Sequence, residues 1–317
     1  NQQNTNDIYQ NNLDGIPEFN NALNPVHGVK LKYLLQLLTS PLYFCSKACK
    51  LHFLQGNHIM TRGTTFHAYV PIMLEPDHVS TMLSQVLFGE EFMVLDGTDD
   101  WLSIRLDPDD IEGWVMKQGI ELKEIENEEE MKPVGPVRFV SLPSATILDL
   151  TLGQQWIIPA GAAWNSRDSH MLSWYGHNFE RLSGEGFVTP GNKIDLLTIG
   201  KRLRSLPFIH GGRSGFGFDG PGLVQMLCRM RGNKIPRFAQ QQAELGTTIN
   251  FMYEVEEGDL AFFDNEENEI THVGMILDEG NILHCDSCVS IDRLDHHGIY
   301  SSEQKQYTQK LRVIKRI

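Results

Sequence analysis

The sequence predicts an α+β multidomain protein: a helical N-terminal segment, two small antiparallel β-barrels in tandem, and a C-terminal α+β domain. Three observations predict it. Residues 1–62 are helix-leaning with polar ends, and short alternating apolar runs then fill the chain to about residue 190. The last third changes again, to helix, glycine turn, helix and strands. At 317 residues the chain has room for more than one core, since a domain holds ~100–200 residues.

Taken in order, the first element is the segment 1–62, where "LKYLLQLLTSPLYF" (31–44) reads as an amphipathic or buried helix ended by Ser40-Pro41. The first barrel, 63–127, is written in "FHAYVPIMLEP", "QVLFGEEFMVLD", "DDWLSIRLD" and "IEGWVMKQ", with Gly, Asp and Pro at the corners. Its tryptophans, Trp101 and Trp114, are expected in barrel core, as are Trp156 and Trp174 of the second barrel, 134–190. Between them "KEIENEEEMKP" reads as a solvated linker. The last domain, 191–317, opens with helical spacing over 192–208 (Ile194, Leu197, Ile199, Leu203) and a second helix over 222–232, stopped by Gly232. "GDLAFFD", "THVGMILD" and "NILHCDSCVSI" follow as strands.

Composition excludes more than it selects. A formal charge of −14 disfavours nucleic acid and anionic membrane surfaces as partners. No run approaches the ~18 apolar residues of a membrane span. The polar start, "NQQNTNDIYQNNLDG", is expected to be the end of a mature chain whose signal peptide has been removed. Five cysteines leave at least one unpaired within the chain. Cys45/Cys49 and Cys285/Cys288 read as disulfides, metal ligands or buried thiols, with no second pair to specify zinc.

The chemistry concentrates in "SGFGFDGPGLVQ" (214–225), a glycine-rich turn running into an apolar helix. A cysteine hydrolase places its thiol at such a helix N-terminus, where the dipole lowers the thiol pKa. A histidine base and a group that orients it complete the arrangement. His272 and His284, on consecutive predicted strands, supply two imidazoles on one face. Yet Asp219 is followed by Gly220, Pro221 and Gly222, with no nucleophile among them.

These residues resemble the NlpC/P60 cell-wall cysteine peptidases, papain-like enzymes that cut peptidoglycan stem peptides. The motifs are Gly211-Gly212-Arg213-Ser214, Asp219-Gly220-Pro221-Gly222, Gly258-Asp259-Leu260, His272-Val273-Gly274 and His284. The upstream barrels resemble bacterial SH3 domains, the first through "QVLFGEEF", "DWLSIRL" and "EGWV". From about residue 66 onward the layout is similar to dipeptidyl-peptidase VI, a γ-D-glutamyl-L-diamino acid endopeptidase.

The resemblance implies that the catalytic cysteine falls at Gly220 and the following serine at Pro221, with His272 and His284 as relic base and orienting residue. It implies a substrate-binding set of Asp219, Pro221, His210, Phe208, Arg213, Glu75, Ile111 and Gln240. His210 stands for a tryptophan, Phe208 and Ile111 for tyrosines, and Phe238 and Gln240 for the Asp and Ser of a Pro-Arg-Asp-Ala-Ser stretch. Proline suits the first helical turn, where its missing N–H costs nothing. Concerted loss of the nucleophile and its neighbours implies a catalytically inactive homologue of the bacterial cell envelope, periplasmic or secreted. Its partners would be stem peptides or an envelope protein, without a cofactor. The vacated thiol space and the helix N–H groups would suit a small anion or carboxylate. Two alternatives stay open: an altered hydrolase, metal-assisted through Asp219, His272 and His284, and a structural protein using the SH3 or N-terminal surfaces.

Overall fold

The computed structural model describes residues 60–126, 135–183, 186–192 and 194–317. The helical reading of the N-terminal segment and the Cys45/Cys49 pair lie outside them, as does most of the acidic linker. Residues 60–62 are described, and they are strand rather than helix.

The first β block is a single seven-stranded antiparallel sheet. Its strands are β1 (Met60–Thr65), β2 (Tyr69–Met73), β3 (Met82–Leu87), β4 (Glu91–Gly97), β5 (Trp101–Leu106), β6 (Glu112–Met116) and β7 (Ile120–Ile125). The order is β3-β2-β6-β5-β4-β1-β7. Alternation places Val70, Ile72, Phe92, Leu102, Ile104, Leu106 and Val115 in one buried cluster. β1 starts three residues before the expected boundary because Met60–Thr65 pairs along its whole length with β7.

The second block departs from a repeat of the first. Its strands are β8 (Val137–Val140), β9 (Ser144–Asp149), β10 (Gln154–Pro159), β11 (Ala163–Asn165), β12 (Met171–Trp174), β13 (His177–Arg181) and β14 (Phe187–Val188). They divide into a four-stranded sheet, β10-β9-β13-β12, and a three-stranded sheet, β11-β8-β14. Of the four tryptophans expected in core, Trp101 is buried, Trp156 and Trp174 pack half-buried on this block's core, and Trp114 is half-buried.

The blocks share cores. Phe66 and Phe88 of the first pack with Trp164, Leu172 and Phe179 of the second. Gly89 makes the approach possible: its φ is +83°, and a Cβ there would lie 1.8 Å from the Ala163 carbonyl oxygen.

The C-terminal region is mostly β, with few helices. Helix α1 (Leu196–Leu203) is capped by Asp195, which accepts from the Thr198 N–H. It stops short of the expected 208. The hairpin β15 (Arg213–Ser214) and β16 (Gly217–Phe218) leads into α2 (Gly220–Arg231), and α3 (Ala239–Ala243) follows. α2 ends at Gly232 in the left-handed conformation, φ +94°.

The remaining strands are β17 (Thr247–Ile249), β18 (Leu260–Asp264), β19 (Ile270–Ile276), β20 (Asn281–Cys285), β21 (Val289–Leu294), β22 (Gly298–Ser301) and β23 (Gln306–Arg316). Their order is β17-β23-β18-β19-β20-β21-β22, and a further β22–β23 pairing closes β18 to β23 into a barrel. Val273, Met275, Leu283 and Cys285 lie under the helices with Leu223, Leu227 and Met230. Ala261, Phe263, Ile276, Ile282 and Ile314 fill the other face. Among the described residues no helix is long and apolar enough to cross a membrane.

Candidate functional site

The N-terminus of α2 is built by its own sequence. Asp219 is the N-cap, with backbone in the extended region, and its Oδ1 accepts the Gly222 N–H at 2.7 Å. Pro221 occupies the first turn, half-buried, and its carbonyl accepts from Gln242 Nε2 at 3.2 Å. The other Asp219 oxygen accepts the Gly211 N–H at 3.0 Å. Both oxygens are also held by Arg237, at 2.9 and 2.7 Å, in a fork that closes the carboxylate.

His272 on β19 and His284 on β20 share a face, because Gly274, two residues beyond His272, pairs with His284. That face is opposite the one carrying Val273, Met275, Leu283 and Cys285. Their rings stand at 90°, with His272 Nε2 at 3.2 Å from His284 Nδ1. His284 Nε2 lies 3.1 Å from Asp292 Oδ2 on β21. A carboxylate only accepts, so His284 Nε2 donates to it. In the neutral relay His284 Nδ1 then accepts from His272 Nε2, leaving the His272 Nδ1 lone pair free. Burial, and secondarily the neighbouring His284 charge, push the His272 pKa down to about 3, so this ring is neutral at physiological pH.

That lone pair faces Gly220. A Cβ built on Gly220 would sit 3.1 Å from His272 Nδ1 and 3.1 Å from the Val273 carbonyl oxygen. Real Cβ contacts are seldom so close, so the imidazole stands partly in the space a side chain would need. The site therefore sets a neutral imidazole, its hydrogen-bonded relay and a capped helix terminus together, with glycine at the end of the relay.

Among the described residues neither of two further thiols, Cys228 and Cys285, faces the relay. Cys228 lies two turns along α2, and burial pushes its thiol pKa up to about 12. The Cys285 thiol bonds the Phe218 carbonyl at 3.2 Å on the face away from His284, and burial raises its pKa. Cys285 and Cys288 are free thiols, not a disulfide. Among the described residues no three His, Cys, Asp or Glu groups converge as a metal site. Asp219 is turned to Arg237 rather than to the two histidines.

The remaining expected site residues scatter. Ile111 belongs to the core of the first β block, so it does not present a side chain to the cleft. Arg213 is fully committed elsewhere: buried, it forks onto Glu90 at 2.7 and 2.8 Å and bonds the Gln85 carbonyl through Nε. Its role is structural, joining the C-terminal region to the first β block. Glu75 is exposed in the β2–β3 turn. Phe208, His210 and Gln240 are exposed, and the groups nearest to Gly220 are His272 and the Val273 carbonyl. The anion cradle expected at the helix terminus is depleted, since Asp219 takes the Gly222 N–H and Pro221 has none.

Two site residues escaped the sequence reading. Asp292 is diagonal to His284 across the β20–β21 pair, where Ile282 faces Asp292, and only the turn length between the strands reveals this. Arg237 is read only as part of the Pro-Arg-Asp-Ala-Ser stretch, and its pairing with Asp219, 18 positions away, has no local signal.

The chain is similar to known proteins. Residues 205–312 match the NlpC/P60 family, and residues 72–120 match the bacterial dipeptidyl-peptidase SH3 domain. The chain is 30% identical over 213 residues to a γ-D-glutamyl-L-lysine dipeptidyl-peptidase of Bacillus subtilis, covering 63% of this chain and 71% of that one. A Bacillus cereus protein of the same name is 27% identical over 222 residues, with 63% and 66% covered. The crystal structure of a Bacillus cereus NlpC/P60 family protein shares the fold, with TM-score 0.66, 20% identity, and 80% of this chain and 99% of that chain covered. An NlpC/P60 endopeptidase from Photobacterium damselae subsp. piscicida does so at TM-score 0.57 and 13% identity, with 80% and 70% covered. With its SH3-type block followed by a helix terminus set against a histidine relay, the chain belongs to the NlpC/P60 family.

Proposed function

We propose that this chain is a catalytically inactive NlpC/P60 homologue that serves as a binding or assembly module at the bacterial cell envelope. One observation carries the reading: residue 220 is glycine, and the His272 imidazole stands 3.1 Å from where its Cβ would be. Acyl transfer by this family's arrangement needs a thiolate there. A neutral imidazole with its pKa near 3 is a poor base for activating water in its stead. The ligand class this reading favours is the peptidoglycan stem peptide, the substrate class of the family. The changed recognition positions, Phe208, His210, Phe238 and Gln240, favour altered affinity within that class.

The test is direct. Purified protein incubated with γ-D-glutamyl-L-lysine-containing stem peptides is expected to release no fragment over hours, by mass spectrometry. Turnover that disappears in a His272→Ala variant would overturn the reading and return the chain to the hydrolases.

A further inference from the structure

The relay ends on an acceptor without a donor. His272 is 7% exposed, its Nε2 is taken by His284, and among the described residues nothing donates to its Nδ1. The Cβ position of Gly220 has two polar neighbours, His272 Nδ1 and the Val273 carbonyl oxygen, each at 3.1 Å. Both are acceptors. The ring stays neutral down to a pKa of about 3, so Nδ1 keeps that role across the physiological range.

The helix terminus adds one donor. Gly222 and Leu223 give their N–H groups to Asp219, and Pro221 has none. That leaves the Gly220 N–H as the first-turn donor with no acceptor among the described residues. A backbone nitrogen lies about 2.5 Å from its own Cβ position, so this donor and Nδ1 are no more than about 5.6 Å apart.

A carboxylate does not suit this pair. It only accepts, so it would meet the lone pairs of Nδ1 and Val273. The nearby guanidinium groups of Arg213 and Arg237 are engaged by Glu90 and Asp219. A secondary amide fails differently. In its trans form the C=O and N–H point to opposite sides, so one edge cannot serve donor and acceptor together. A primary carboxamide presents both on one edge.

We propose that the α2 terminus reads a primary carboxamide, whose N–H donates to His272 Nδ1 and whose oxygen accepts from the Gly220 N–H. This rests on the stem-peptide reading above and names the form of that class. A γ-linked glutamyl unit keeps its α-carboxyl group free, and the site selects the amide of that group over the acid. The relay thereby has a use without a thiol, since Asp292 and His284 fix the tautomer that leaves Nδ1 bare.

The full chain is titrated by calorimetry with γ-D-glutamyl-L-lysine carrying its glutamyl α-carboxyl as the acid, the primary amide or the methyl ester. The ester matches the amide in charge but has no N–H at that group. The amide is expected to bind at least about tenfold tighter than either of the others. The nitrogen NMR resonance of His272 Nδ1 is expected to move upfield when the amide binds and to stay in place with the ester. In His272→Phe, which keeps a ring and removes the acceptor, amide and ester are expected to bind equally. The nitrogen shift is read on the wild type, so the test does not depend on that variant folding. Acid or ester binding as tightly as the amide, or an unmoved Nδ1 resonance with the amide bound, would overturn this inference alone. No saturable binding of any of the three up to ~20 mM would overturn the stem-peptide reading together with it.

Discussion

Replacing Glu90 by alanine is expected to destabilise the protein by about 3–5 kcal/mol, the usual cost of stranding a buried charge. Glu90 is 2% exposed and receives both Arg213, itself 2% exposed, and Arg229 of α2. It also accepts the Leu87 N–H at 2.9 Å. Burial pushes the Arg213 pKa down while Glu90 works against that shift, so removing the acid leaves a guanidinium with neither water nor counterion. Glu90→Gln keeps part of the hydrogen bonding and should cost less than Glu90→Ala. Urea unfolding followed by fluorescence measures both, and a loss under about 1 kcal/mol would place the pair among surface ion pairs. Arg213 directly follows Gly211-Gly212, whose backbone meets the Asp219 cap. Faster amide exchange over residues 211–222 should therefore accompany the loss.

Acid is expected to weaken the fold through His272. The unfolded ring titrates near 6.5 and the folded one near 3. Between those values the unfolded state binds more protons, so stability rises with pH. The contribution is whole above pH 6.5, declines at up to about 1.4 kcal/mol per pH unit as pH falls, and is gone below 3. Glu91 and Asp107, whose pKa values burial raises, act in the opposite sense over the carboxylate range. The informative quantity is thus the difference between wild type and His272→Gln, measured by urea unfolding from pH 7.5 to 3.5. The wild-type curve should fall more steeply, and parallel curves would mean that the buried imidazole is charged in the folded state.

Much of the site was legible before any coordinates, wherever the signal was local. The Asp219 cap, the Pro221 first turn and the Gly232 stop are written within one helix. The alternation that sets His284 against Cys285 needs only a strand period of two. Legibility ended where partners came from distant strands. Ile111 matched a recognition position, but its side chain lies in the buried core of the first sheet. Arg213 sits in a motif beside the site, but it answers to Glu90, 123 positions away. The second β block resembles the first in texture, yet its strands divide between two sheets, because texture does not record pairing partners.

By itself the sequence determined that the turn 219–222 opens a helix and offers no nucleophile, and that two histidines follow at strand spacing. Those properties depend on residue identity and local periodicity. The tertiary structure alone decided that Asp292 completes the relay, that Arg237 closes the Asp219 carboxylate, and that His272 stands partly in the space beside Gly220. Each of these is a matter of which distant groups share a desolvated space, and burial, not sequence neighbourhood, sets the energy of a charge.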